Sequence, residues 1–337
     1  MSETLPKKLF LCGHRKCGTT MFSNLFDGHP ELMVYPTDIS VLYGYFPYYL
    51  EAHPDPQERR NRLECVVFQT LSRLIDKFGL RQELPLDAFR SHFFSSIRDE
   101  ELGRIPALID RLESSFRAAV PGLPERPKWS VIKETSIEIY AHHLFAWYPD
   151  CKVVQLIRDP RDNYASIKSG HEKHYQVFGE SQKHGLASLL HRGRLGMQLA
   201  SLHQRRFGNH RYAVLRFEDL VTKPSEVMEG ICRFLGIVFD DCLKVPTILG
   251  KPTHGNNFDG EKFYELTARN VGRWRERITD EEAMIIEFHF RELLTAFGYE
   301  PAFEETQAAD AACEFYKWVN YSYFYRDSFP AMQRRNA

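Results

Sequence analysis

The segment Gly13-His14-Arg15-Lys16-Cys17-Gly18-Thr19-Thr20 concentrates groups that bind anions. Two glycines bound a basic loop, so backbone N–H groups can approach a phosphate or sulfate with no Cβ atom in the way. Lys16 and the hydroxyls of Thr19 and Thr20 add side-chain donors, and the helical stretch from Met21 to Phe26 would bring the positive end of its dipole to the same place. The Gly-x4-Gly spacing matches a triphosphate-binding loop, but Thr19 stands where such a loop carries its lysine, and the lysine sits inside the loop at position 16. A strand-to-helix turn of basic composition would satisfy the same spacing. Two more cations end apolar runs: Lys133 after Trp129-Ser130-Val131-Ile132, and Arg158 after Lys152 to Ile157. The ends of parallel strands are where open α/β sheets deliver side chains to ligands.

The elements that must position these groups are visible as a rhythm. Lys8 to Cys12, Trp129 to Ile132, Lys152 to Ile157 and Tyr212 to Leu215 are short apolar runs, each followed by ten or more helix-compatible residues. Runs that are apolar throughout, rather than alternating, predict a parallel sheet with helices on both faces. The expected fold class is therefore α/β, a doubly wound parallel sheet carrying a phosphate-binding loop. Between the first two runs lies a long stretch with helical spacing and no strand signal, read as a helical cap insertion over residues 51–125 that exits at Pro121-Gly122-Leu123-Pro124. Thr279-Asp280-Glu281-Glu282 reads as a capping box opening a long helix, and the aromatic tail, residues 313–337, is too apolar to stay free and is expected to pack on the core.

Composition narrows the partners. The chain has 337 residues, with 44 Lys+Arg against 45 Asp+Glu and a net charge of −1, so no nucleic-acid partner is expected and any anion site must be local. The longest weakly polar stretch, Val41 to Leu50, falls far short of the ~20 apolar residues of a membrane span. Seven scattered cysteines without a CxxC pair argue against a disulfide framework or a zinc site and favour a reducing, cytoplasmic setting. His171, His174 and His184 read as solvated loop histidines, and no metal is expected. Oligomeric state is not legible.

The anion loop resembles the first motif of the sulfotransferase family, roughly Gly-x-x-Lys-x-Gly-Thr-Thr, and three later segments resemble that family in the same order. Val153 to Ser166 looks like its second motif, a strand ending in an arginine (Arg158) with a serine (Ser166) eight residues on. Arg216-Phe217-Glu218-Asp219-Leu220, followed by Phe234-Leu235-Gly236-Ile237, is similar to its Arg-Tyr-Glu-Asp-Leu and Phe-Leu-Gly signatures. Gly272-Arg273-Trp274-Arg275 is similar to its Gly-x-Trp-Lys/Arg segment. The matches run from residue 8 to residue 278; the cap and the aromatic tail lie outside them, and the whole of 1–337 reads as one sulfotransferase domain.

The resemblance implies 3′-phosphoadenosine 5′-phosphosulfate (PAPS) as co-substrate and 3′-phosphoadenosine 5′-phosphate (PAP) as product. Lys16, Thr19 and Thr20, with Arg15, Cys17 and Gly18 completing the loop, would hold the phosphosulfate, while Arg158 and Ser166 would hold the 3′-phosphate. Phe217 replaces the family's tyrosine as a stacking face or is a plain core residue. Arg269 is what remains of a late basic triplet, since Thr267 and Ala268 precede it. Arg158 could instead pair with Asp159 or Asp162, and Trp274 reads as core. Lys16 and Lys133 are the catalytic cations implied. For the base, the stretch after Lys133 reads Glu134-Thr135-Ser136 without the histidine that some members use, so a carboxylate is expected. Asp38, beyond the His29-Pro30 turn where other members carry a glutamate, is preferred to Glu134; it could equally cap the helix begun by Ile39. The acceptor expected is a hydroxyl of a small, partly apolar molecule, with the aromatic segment Val41 to Leu50, including Tyr45 and Phe46, either lining its pocket or anchoring the cap. The alternatives are a small-molecule kinase and a catalytically inactive PAPS- or PAP-binding relative.

Overall fold

Residues Leu9 and Leu11 turn to one face of a sheet and Phe10 and Cys12 to the other, and both faces are buried. That is why the strand reads as apolar throughout. In the computed structural model, which describes residues 6–171, 181–253 and 264–321, the chain forms two compact units: Met1–Ile157 with Leu199–Ala268, and Arg158–Gln198 with Arg269–Ala337.

The first unit is built on β1 (Lys7–Cys12), β2 (Leu32–Asp38), β3 (Trp129–Lys133), β4 (Lys152–Ile157) and β5 (Tyr212–Arg216). They form a five-stranded sheet in the order β2-β3-β1-β4-β5, every pair parallel. The expected α/β class is therefore the observed one. On one face Phe10, Met33, Ile132 and Val153 pack against Phe68, Phe89, Leu108 and Phe116 from helices between β2 and β3. On the other, Leu9, Leu11, Val131 and Val154 pack against Phe22, Phe26, Met228 and Leu235. The helices between β2 and β3 include Pro56–Leu63, Gln69–Phe78, Leu86–Ser96 and Ile105–Ala119. Lys8, buried in β1, is paired with Glu113 and lies 3.2 Å from Asp110, both on the last of these helices.

One strand was illegible. The stretch between the first two apolar runs does contain a strand, Leu32–Asp38, and it forms the sheet edge next to β3. Its proline is the reason it does not read as one: Pro36 has no N–H to give, and an edge strand tolerates this because only one side is paired. The ladder records the irregularity. Val34 faces Val131 and Asp38 faces Lys133, so β2 spends four residues where β3 spends two.

The second unit is helical in its described residues: Pro160–Gly170, Gln182–Ser188, Trp274–Arg277, Asp280–Ala296 and Glu305–Asn320. The capping box at Thr279 is present, with Thr279 Oγ1 accepting from the Glu282 N–H at 3.2 Å and Glu282 Oε2 accepting from the Thr279 N–H at 2.9 Å. His184 is not a loop residue, as its ring caps a helix start by accepting from the Ser181 N–H; His174 lies outside the described residues. The stretch from Cys313 to Asn320 is the end of a helix with Phe315 buried, and residues 322–337 lie outside the described ones. The core of this unit holds a charge network. Arg161 donates to Asp159 at 2.7 Å, to Glu287 at 2.6 Å and to the Glu300 carbonyl at 3.0 Å. Glu287, fully buried, also accepts the N–H groups of Ala302 and Phe303.

Removing Glu287 leaves Arg161 paired with Asp159 but takes the acceptor from the Ala302 and Phe303 N–H groups. Glu287→Ala is expected to cost about 2–6 kcal/mol of stability, at about 1–3 kcal/mol for each N–H left without an acceptor, read as a shift in the chemical denaturation midpoint, and Glu287→Gln is expected to cost less.

Candidate active site

The loop after β1 is shaped by crowding as well as by conformation. Gly13 has φ +146°, and a Cβ there would lie 2.3 Å from the Leu156 carbonyl oxygen of β4; a Cβ on Gly18, φ +98°, would lie 2.6 Å from the Phe217 ring. Both glycines are thus required before any ligand is considered. Phe217, buried at the start of the helix after β5, serves as the wall beneath Gly18. The Cys17 N–H closes a turn on the His14 carbonyl at 3.1 Å, and between them Lys16 takes the left-handed conformation, φ +67°. A lysine held there is strained by roughly 1–3 kcal/mol. The helix α1 (Thr19–Asn24) begins directly after, and its first amides have no intrahelical acceptor. Thr19 is buried; Thr20 is half-buried and reaches the neighbouring strand end.

At that strand end Lys133, almost fully buried, donates from Nζ to Asp38 Oδ2 at 2.7 Å and to Thr20 Oγ1 at 3.2 Å. Asp38, 33% exposed, is oriented by two further donors on Oδ1, the Thr135 N–H at 3.0 Å and the Thr135 hydroxyl at 3.2 Å. The two-residue excess in β2 brings Asp38 level with Lys133. Of the residues expected to act, Lys133, Asp38 and Thr20 are therefore in direct contact. Thr135 was not among them; its position next to Glu134 gave no signal, because its role depends on the β2 bulge.

Glu134 has a different task. It is fully buried, its Oε2 accepts the Leu42 N–H at 3.1 Å and its Oε1 the Tyr43 N–H at 2.6 Å, so it caps the short helix α2 (Val41–Gly44). Asp38 does not cap that helix: Ser40 stands at its N-cap position, without a side-chain bond, and the capping carboxylate comes from the residue that follows β3. Burial pushes the Glu134 carboxyl up to about 8; the charge of Asp38 adds to this, while the Tyr43 and Leu42 amides and Lys133 oppose it.

In the second unit Arg158 directly follows β4 in the chain and is buried, with Nη2 donating to the Asn270 carbonyl at 2.8 Å. Asp159 pairs instead with Arg161, and Asp162 accepts the Gly272 and Trp274 N–H groups at 2.6 and 2.8 Å. Ser166 is half-buried on the helix Pro160–Gly170, and Arg269 is exposed. Trp274 is core, with the Arg161 and Arg275 guanidinium carbons 4.5 and 4.4 Å from its ring centre.

The aromatic segment divides. Tyr45 is buried and donates its hydroxyl to the Leu102 carbonyl at 2.6 Å, an anchor for the cap rather than a pocket wall. Phe46 packs edge-on against Tyr140, His143 and Trp147, while Tyr43 is 62% exposed and Ile139, on the turn that packs against α2, is 40% exposed.

A model of the sulfotransferase family matches residues 6–241. No curated protein sequence is significantly similar to the chain. Among solved structures, the sulfotransferase domain from the curacin biosynthetic pathway is 16% identical, with 88% of this chain and 99% of that chain covered and a TM-score of 0.57. A sulfotransferase from Alicyclobacillus acidocaldarius is 17% identical, with coverages of 88% and 98% and a TM-score of 0.48. The mouse sulfotransferase SULT7A1, solved with PAP, is 14% identical, with coverages of 87% and 85% and a TM-score of 0.45. The first of these likenesses shows a shared fold, and the family match extends over the anion loop, the Asp38–Lys133 pair and Arg158: the chain belongs to the sulfotransferase family.

Proposed function

We propose that the protein transfers a sulfuryl group from PAPS to a hydroxyl of a small, partly apolar acceptor, with Asp38 as general base and without a metal. The observation that supports this reading is the sharing of Lys133 between Asp38 and Thr20 of the anion loop. In-line transfer makes an acceptor O–S bond, breaks the S–O bond to the 5′-phosphate and leaves negative charge on the oxygen that departs. Asp38 takes the acceptor's proton, and neutralising it loosens its hold on Lys133. Nζ, already within reach of Thr20, then stabilises the departing oxygen together with Lys16. One lysine thus couples proton removal to charge stabilisation at the leaving group.

The donor's two anionic ends are assigned by the family resemblance and the chemistry of the groups present. Lys16, Thr19 and Thr20, with Arg15, Cys17 and Gly18, take the phosphosulfate; Arg158, Ser166 and Arg269 take the 3′-phosphate. Glu134 is left out of the chemistry, because both of its oxygens serve backbone amides. The exposed rings and side chain of Tyr43, Tyr48 and Ile139 favour an apolar acceptor over a charged glycan. A cytoplasmic setting suits the cysteines, none of which forms a disulfide, and no helix among the described residues is long and apolar enough to cross a membrane.

Labelled donor offered with alcohols, phenols and glycans, and Mg·ATP with the same acceptors, tests the reading: sulfation of alcohols or phenols is expected, and phosphorylation in its place would overturn it. Asp38→Asn is expected to lower kcat by about 10²- to 10⁴-fold while PAP still binds in calorimetry; a fully active variant would remove Asp38 from the role of base. Lys16→Ala is expected to lose turnover and remain folded. Glu134→Gln is expected to act on stability instead. Its raised carboxyl means that the folded state keeps a proton the unfolded chain releases, so wild-type stability should fall as pH rises from about 4.5 towards 8. The variant has no such proton, and denaturation midpoints compared at pH 5, 6.5 and 8 should show a flatter dependence than wild type.

A further inference from the structure

The mechanism above gives no task to Asp162, yet this carboxylate is 2% exposed and has two backbone N–H groups aimed at it. Both come from the turn Arg269 to Trp274. Gly272 takes φ +75°, a left-handed conformation in which its own N–H and that of Trp274 converge on one side chain. The opposite end of the turn is fastened by Arg158, whose Nη2 donates to the Asn270 carbonyl at 2.8 Å. Asp162 and Arg158 thus grip the same turn, one through its amides and one through a carbonyl.

The cations around this grip have a pattern. Arg158 sits against the turn, Arg269 and Arg273 are carried by it, and the Arg273 guanidinium is one-third exposed and lies 3.5 Å from the Asn270 side-chain oxygen. Asp162 is a buried negative charge that touches this turn from inside and is spent on the backbone, while the exposed Glu276 carboxylate lies 3.9 Å from Arg273 Nε. Its carboxyl is pushed up by burial and pulled back by the charge of Arg158, as for a carboxylate set beside the cation it supports.

We infer that Asp162 is a positioning residue for recognition of the nucleotide 3′-phosphate: by holding the turn Arg269 to Trp274 it keeps Arg269 and Arg273 beside Arg158, so that three guanidinium groups meet a dianion that one alone would bind weakly. The inference rests on the assignment of Arg158 to the 3′-phosphate. An arginine fork aimed at a phosphate depends on fixed geometry, so loss of the clamp costs the interaction with that phosphate and spares the rest of the nucleotide.

Calorimetry with PAP and with AMP, which lacks the 3′-phosphate, separates the possibilities, because a merely structural defect would weaken both ligands alike. For Asp162→Asn, which keeps the shape but can accept only one of the two N–H groups, the PAP/AMP affinity ratio is expected to fall at least tenfold with AMP affinity held within twofold. Asp162→Glu, which keeps the charge but displaces the oxygens, should show the same selective loss and serves if the asparagine variant does not fold. An unchanged ratio, or equal weakening of both ligands, in the folded variant would overturn the inference. Arg158→Ala is the control for the assignment beneath it. If that variant keeps the wild-type ratio, the 3′-phosphate assignment fails and the inference with it. If Arg158→Ala collapses the ratio and the Asp162 variants do not, only the positioning role fails.

Discussion

The contact between Asp38 and Lys133 is set by backbone register rather than by the side chains themselves. Regular pairing of β2 with β3 from Val34 onward would put Pro36 opposite Lys133, and a proline there offers neither charge nor donor. The extra length in β2 replaces it with an aspartate. Everything at this end of the sheet follows from that offset: the carboxylate reaches Lys133 and both donors of Thr135, Lys133 is drawn towards Thr20, and the Ile39 N–H can close on the Lys133 carbonyl at 3.1 Å before α2 begins. Bulges at sheet edges commonly re-aim a side chain, and here the re-aimed side chain is the one with access to solvent.

Two carboxylates one strand apart are thereby given different environments. Asp38 keeps a third of its surface open and accepts from Lys133 Nζ and from the N–H and hydroxyl of Thr135, whereas Glu134 is sealed and committed to two amides. The difference lies in where the backbone sets each residue, Asp38 at the end of β2 and Glu134 just after β3, and not in side-chain length. The same economy applies to glycine. Gly13 and Gly18 are dictated by the Leu156 carbonyl and the Phe217 ring, so the shape of the loop is fixed by its own packing.

The sequence made some of this plain and hid the rest for identifiable reasons. The strand of Lys8 to Cys12 and the loop behind it are local features, legible from hydrophobic run length and glycine spacing. So is the capping box at Thr279, which needs only four residues. Strand β2 was hidden by Pro36 and by its short, irregular pairing; once missed, it left Asp38 looking like a helix cap. Glu134 looked like a rival base because the amides that consume it belong to residues 42 and 43, more than ninety positions away. Thr135 and Asp162 were invisible for the same cause: each acts on backbone or side-chain atoms that only the fold brings near. Tyr45 carried the composition of a pocket residue, and only its bond to the Leu102 carbonyl shows it to be an anchor.

The two faces of the central sheet also bear on how such a protein can change over time. Helix α1, which follows the anion loop, shares its hydrophobic cluster with the helices after β5, while the helices inserted between β2 and β3 form a separate cluster on the opposite face. The strands stand between the two clusters, so a change of side-chain volume among the helices that lie between β2 and β3 meets Phe10, Met33 and Ile132 first, and reaches the residues beneath the loop after β1 only through the sheet.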